Sequence, residues 1–256
     1  MPINTPVVIE IDRKTWLIQE YGLSCCYALL GNESGLLIDT GCGRMNIRRL
    51  AERLFKGRPY DVVLTSGHAV CSGASGLFDL IFCAETMEDQ ISELSVSADF
   101  SQPTYLAPNW KPEILSLHTG DVFELGGREV LCIRTPGFSE GSCSFYDKQS
   151  GIAFVGNACG NDMAVSCVAD ALTGLMLLKK MAPGLNRLYP THVGYTDYRA
   201  LPAAVLEDAI GACRAALAPD GHHYYKDGKV HFRSVTLEYK DKWAELEPHS
   251  PYPLGL

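Results

Sequence analysis

The chain has 256 residues, 46% of them hydrophobic and 20% charged, with a net charge of −8 and ten cysteines. That length and apolar content can bury a sizeable core, whereas an acidic balance without any Lys/Arg-rich run excludes the concentrated positive charge that binds a nucleic-acid backbone. The cysteines are irregularly spaced and form no CxxC pair, which argues for reduced thiols and against both a disulfide framework and a structural zinc ribbon.

The first residues, MPINTPVVIEID, show no basic segment followed by an apolar run, and nowhere do eighteen apolar residues stand together. The expectation is no secretion signal, no membrane span and a cytoplasmic protein. The expected partner is a small-molecule ligand or substrate, not nucleic acid or a membrane.

Residues 6 to 40 read as a meander of short strands, VVIEID, TWLIQ, CCYALLG and GLLIDT, divided by Gly, Asn, Glu and Ser turn signals. Cys25 and Cys26, neighbours in one of them, are expected on opposite faces with one in the core. From Arg44 the period turns helical, with Ile47, Leu50 and Leu54 on one stripe and a stop at Lys56-Gly57. Strand DVVLT runs into the glycine-punctuated loop of VVLTSGHAVCSGAS, residues 62 to 75. A strand near LIFCA and an acidic helix around TMEDQISEL follow.

A second strand-rich stretch, Asp121 to Asn157, contains VFEL, REVLCIRT, CSFYD and IAFVG, divided by the turns LGG, PGFSEG and KQSG. Helical patterns at about 168 to 181 and 200 to 217 flank a strand at RLYPTH, and HHYYKDGKVHF predicts a closing hairpin on Asp227-Gly228. Two strand-rich halves, each followed by helices, predict two sheets packed face to face with helices outside. The whole chain, 1–256, is read as one domain that includes the hairpin at 221–240.

Five segments, LLIDTG at 36 to 41, VVLTSGHAVCSG at 62 to 73, TPGFSEGS at 135 to 142, FVGNA at 154 to 158 and YPTHVG at 189 to 194, together resemble the metallo-β-lactamase superfamily. The resemblance implies an α/β fold, a four-layer αβ/βα sandwich with its site at the loop ends of the strands, and a hydrolase ancestry. That family holds two metal ions with a THxHxDH loop, a PGHT loop, a GDA strand end and a final His. Carried over, its ligand positions fall on Ser66, His68, Val70, Cys71, Phe138, Asn157 and His192, so five of the seven are replaced. At one to two decades of affinity per lost ligand, the replacements remove roughly five to ten decades.

The turn residues around those positions, Thr65, Gly67, Ser72, Gly73, Pro136, Gly137, Gly156 and Ala158, match the family frame and serve backbone geometry with or without metal. No cofactor is expected; the remaining metal reading is a single zinc at His68, Cys71 and His192. In the family, positions 71 and 192 share one ion, which implies a Cys71–His192 separation of roughly 3 to 4 Å. Such a pair activates a thiol; the competing role for Cys71 is a small buried filler. His68 is read as catalytic or as a structural loop histidine.

Ser66, Phe138 and Asn157 are candidates for contacting a substrate, on a partly polar floor between apolar walls. Asn161, Asp162 and Met163 extend that floor or form a solvated loop. Three functions follow: a metal-independent hydrolase or lyase using Cys71, His192 and His68; a non-catalytic small-molecule binding or regulatory protein; and a mononuclear zinc hydrolase.

Overall fold

A computed structural model describes residues 6–87, 91, 111–191, 198–218 and 229–239. Its first half is a sheet of seven strands in sequential order: β1 Val7–Asp12, β2 Thr15–Glu20, β3 Ser24–Leu30, β4 Gly35–Ile38, β5 Tyr60–Val63, β6 Leu80–Cys83 and β7 Glu113–Ser116. The first four run antiparallel through tight turns; from β4 onward the pairing is parallel, because intervening segments carry the chain back across the sheet.

Between β4 and β5 lies α1, Ile47–Phe55. The Asn46 side chain accepts from the Arg49 N–H, and Lys56 ends the helix in the left-handed region at φ 55°. Its buried stripe is Ile47, Ala51 and Phe55, one position on from the predicted Leu50 and Leu54, which are only half-buried. Gly35 decides this: a Cβ there would stand 2.5 Å from the Phe55 ring, so the missing side chain admits Phe55 to the sheet surface.

The second half forms a sheet in the order β14-β13-β11-β10-β9-β8, from β8 Val122–Glu124, β9 Glu129–Arg134, β10 Cys143–Asp147, β11 Ile152–Gly156, β13 Arg187–Pro190 and β14 Leu201–Pro202. Along β9 and β11 successive residues enter different cores. Val130, Cys132, Ile152 and Phe154 face the first sheet, while Leu131, Ile133, Ala153 and Val155 face α3, Val168–Met181, and α4, Ala204–Leu217. With both faces buried, strict apolar–polar alternation disappears and the strands read as apolar runs. The same coverage buries both Cys25 and Cys26, where one was expected in the core. The layering is the expected αβ/βα sandwich.

A third, three-stranded sheet joins β12, Asp162–Val165, to the hairpin of β15, Lys229–Phe232, and β16, Val235–Tyr239. This hairpin turns at Arg233-Ser234; the turn expected at Asp227-Gly228 and most of the expected acidic helix lie outside the described residues. No described helix is long and apolar enough to cross a membrane.

At one end of the sandwich a buried ion pair of the second sheet is tied to the first through Arg128. Arg128 Nη2 and Nε donate to Asp147 Oδ2 at 2.7 and 3.1 Å, and the remaining Arg128 donors reach Thr15 Oγ1 and the Lys14 and Leu30 carbonyls.

Candidate functional site

At the opposite end, the C-terminal ends of β4, β5, β9, β11 and β13 converge. The chain leaves β4 through Asp39, a non-glycine residue at φ 64° that is fully buried. Its carboxyl accepts from the Thr65 N–H at 2.7 Å and from Thr65 Oγ1 at 3.0 and 2.8 Å, which joins the ends of β4 and β5. Burial pushes the Asp39 pKa up to about 7, against the opposing pull of the Thr65 and Cys71 hydrogen bonds. Two glycines bring the second sheet close. A Cβ at Gly156, φ 56°, would fall 2.5 Å from Thr65 Oγ1, and one at Gly137, φ 123°, would fall 2.5 Å from Ala171 at the start of α3.

The quoted loop closes into the short helix α2, Ala69–Ser72, with His68 as its N-cap residue. Ser66 is buried, its Oγ accepting from the His68 N–H at 3.1 Å, and it does not line the cleft described below. Ser66 is thus a loop cap, where substrate contact was expected. Ser72 Oγ donates to the Gly67 and His68 carbonyls.

Cys71 is fully buried, with Sγ 3.6 Å from both Thr65 Oγ1 and Thr191 Oγ1. Burial first, and then the Asp39 carboxyl, push its thiol well above the ordinary range. His192, the expected partner, lies outside the described residues. Its neighbour Thr191 donates its N–H to the Gly156 carbonyl and accepts from the Cys25 N–H, so the end of β13 is tied to both sheets.

Above this floor opens a cleft of about 450 Å³. The His68 imidazole and the Phe138 ring meet edge to face with centroids 5.8 Å apart, and Val70 lies beside them on the wall. Asn157 lines the other side; its Nδ2 is buried without a hydrogen-bond partner. Asn161, in the bend before β12, and Asp162, the first residue of that strand, also line the cleft, and Met163 turns into the second core. Asn161 is held by Nδ2–H donating to the Ser234 carbonyl at 2.9 Å.

The cleft thus brings together His68, Phe138 and Asn157, while Ser66 and Cys71 are packed beneath. Asp39 and Thr191 are not singled out from sequence, although LLIDTG and YPTHVG hold them, and Thr65 is read there only as a turn residue. Among the described residues no three His, Cys, Asp or Glu side chains converge closely enough to hold a metal ion.

No protein-family model matches the chain. Two curated relatives, each named acyl-coenzyme A thioesterase MBLAC2, from Bos taurus and from Homo sapiens, are each 28% identical over 159 residues. The alignment covers 50% of this chain and 55% of each relative, so the chain spans about half the length of the curated relatives it matches. Among solved structures, a metallo-β-lactamase from Pontibacter korlensis is 17% identical with a TM-score of 0.63, covering 82% of this chain and 99% of its own. TMB-1 is 12% identical with a TM-score of 0.63 over 84% of this chain and 100% of its own. The DIM-1 metallo-β-lactamase is 11% identical with a TM-score of 0.62, covering 84% and 99%.

Proposed function

We propose that this chain, which has the metallo-β-lactamase fold, is a small-molecule-binding protein of hydrolase ancestry that works without a dinuclear metal centre. The observation that carries this reading is the cleft wall: Val70 and Phe138 stand in it beside His68, at positions where the resemblance puts metal ligands. Two ions do not fit this donor set. Val70 and Phe138 donate nothing, and Asn157 offers a neutral oxygen where a bridging carboxylate would offset the ions' charge.

Cys71 acts in this reading as a packing group. A nucleophilic cysteine is a partly exposed thiolate in an electropositive setting; Cys71 is fully buried and its thiol is pushed upward. The ten irregularly spaced cysteines support a reducing, cytoplasmic setting.

A second reading, a metal-independent hydrolase with His68 as its acid or base, is favoured by the exposed imidazole in the cleft and by the thioesterase named among the relatives. Metal analysis of protein purified without chelator separates the metal readings: less than about a tenth of an equivalent of zinc, iron or manganese is expected, and about one equivalent sinks the proposal. A thermal-shift screen of small molecules then tests the cleft. Stabilisation is expected to survive Cys71→Ala and to vanish in Phe138→Glu, without turnover of acyl thioesters; turnover that disappears in His68→Ala would establish the second reading.

A further inference from the structure

The third sheet is an addition to the two-sheet sandwich, and its polar contribution to the cleft is a carboxylate. Parallel pairing of β12 with β16 sets Asp162 opposite Thr236, and the anchoring of Asn161 on Ser234 fixes the strand's entry. Asp162 lines the cleft with its side chain exposed, and among the described residues neither a hydrogen bond nor an ion pair engages that carboxylate.

Three further features bear on what would engage it. None of the described residues lining the cleft is Lys or Arg, so Asp162 is the one formal charge of fixed sign on that lining. Asn157 lines the cleft and its Nδ2 is buried without a partner, an unmet donor that folding alone disfavours. The rest of the wall, including Val70, Phe138, Leu201 and Ala164, is apolar. An anionic ligand would meet a like charge without a compensating Lys or Arg among the described lining residues. An ammonium group would gain a partner, within the field of a chain of net charge −8.

We propose that the cleft selects an amine-bearing small molecule: an ammonium group on Asp162, a carbonyl oxygen accepting from Asn157 and an apolar body against Phe138 and Val70. This rests on the reading of the cleft as a binding site.

Three probes with one phenyl body test it by titration calorimetry at low salt: phenylalaninamide, 3-phenylpropanamide and 3-phenylpropanoate, which carry ammonium plus amide, amide alone, and carboxylate. Phenylalaninamide is expected to bind about fivefold more tightly than 3-phenylpropanamide, the scale of an exposed ion pair, and about tenfold or more above the carboxylate. Asp162→Asn, a change at an exposed position, is expected to erase the first step, and added salt to shrink it. A carboxylate that binds as tightly as the amine, or a preference that survives Asp162→Asn, overturns the charge assignment and leaves the cleft reading intact. If no probe binds, the cleft reading fails and this inference with it.

Discussion

The two ends of the sandwich treat polar side chains in opposite ways. Around Arg128 each donor nitrogen has an acceptor, and Asp147 is engaged by Arg128, Ser150 Oγ–H and the Gln149 N–H. At the cleft, the Asn157 Nδ2 is orphaned and Asp162 has no partner among the described residues. Folding alone rewards the first arrangement, since an unmet buried polar group costs free energy. In the proposed reading the second is a surface kept for a ligand, and the contrast then separates residues that hold the protein together from residues that meet something else.

The comparison is broken most directly at the clasp. Arg128→Ala leaves the Asp147 carboxylate buried and uncompensated, for an expected loss of about 3 to 5 kcal/mol. Urea denaturation checks it through the midpoint at unchanged slope. The double change Arg128→Met with Asp147→Leu is expected to recover most of that loss, because it removes both charges from the interior. A single-variant cost below about 1 kcal/mol would mean that the clasp is not a structural element.

Beneath the cleft, Asp39 is a buried carboxyl met only by uncharged donors, and it titrates high. Its folded pKa, about 7, lies above the ordinary carboxylate value of 3.8, so the folded state holds a proton that the unfolded chain gives up. The stabilisation is fully present below about pH 3.8 and is lost as pH rises through about 7. Between pH 4 and pH 7 the native protein is expected to lose about 3 kcal/mol relative to Asp39→Asn, which cannot titrate. Parallel urea titrations at the two pH values measure the difference, and a gap independent of pH contradicts it.

Much of this architecture was legible in the sequence, and the failures have physical causes. The strands of the first sheet and the helix at Val168–Met181 follow from turn residues and local period. The α1 stripe is displaced because Leu50 and Leu54 flank the contact, while Phe55 enters the space above Gly35. Residues 161 to 163 are read as cleft floor or solvated loop and no strand is predicted there, because the partner of β12, β16, lies some seventy residues away. The residue types at 66, 70, 71, 138 and 157, where the resemblance places metal ligands, stand in the sequence itself. What could not be read was orientation: whether Ser66 and Cys71 face the cleft depends on loop hydrogen bonds to His68, Thr65 and Thr191 that no spacing rule encodes.

At the cleft itself the expected effects are smaller and opposite in sign. Asn157→Leu removes an orphaned donor, and is expected to stabilise the protein by about 1 kcal/mol. The same variant is expected to weaken binding of 3-phenylpropanamide, whose carbonyl loses its donor. A stabilised protein with unchanged affinity would mark Asn157 as a packing defect, not a contact for a ligand.

The smallest expected effect falls on Asp162. Its backbone, and not its side chain, makes the β12–β16 ladder, and its carboxylate is exposed. Asp162→Asn preserves the ladder and changes nothing that is buried, so the expected change in unfolding free energy is within about 0.5 kcal/mol. The value of so small a number lies in its pairing with the probe titrations. A residue that leaves the urea midpoint in place while erasing the preference for phenylalaninamide serves recognition alone. If Asp162→Asn instead lowers the midpoint by about 1 kcal/mol or more, the carboxylate supports the third sheet, and the division between a satisfied end and a ligand-facing end fails at this residue.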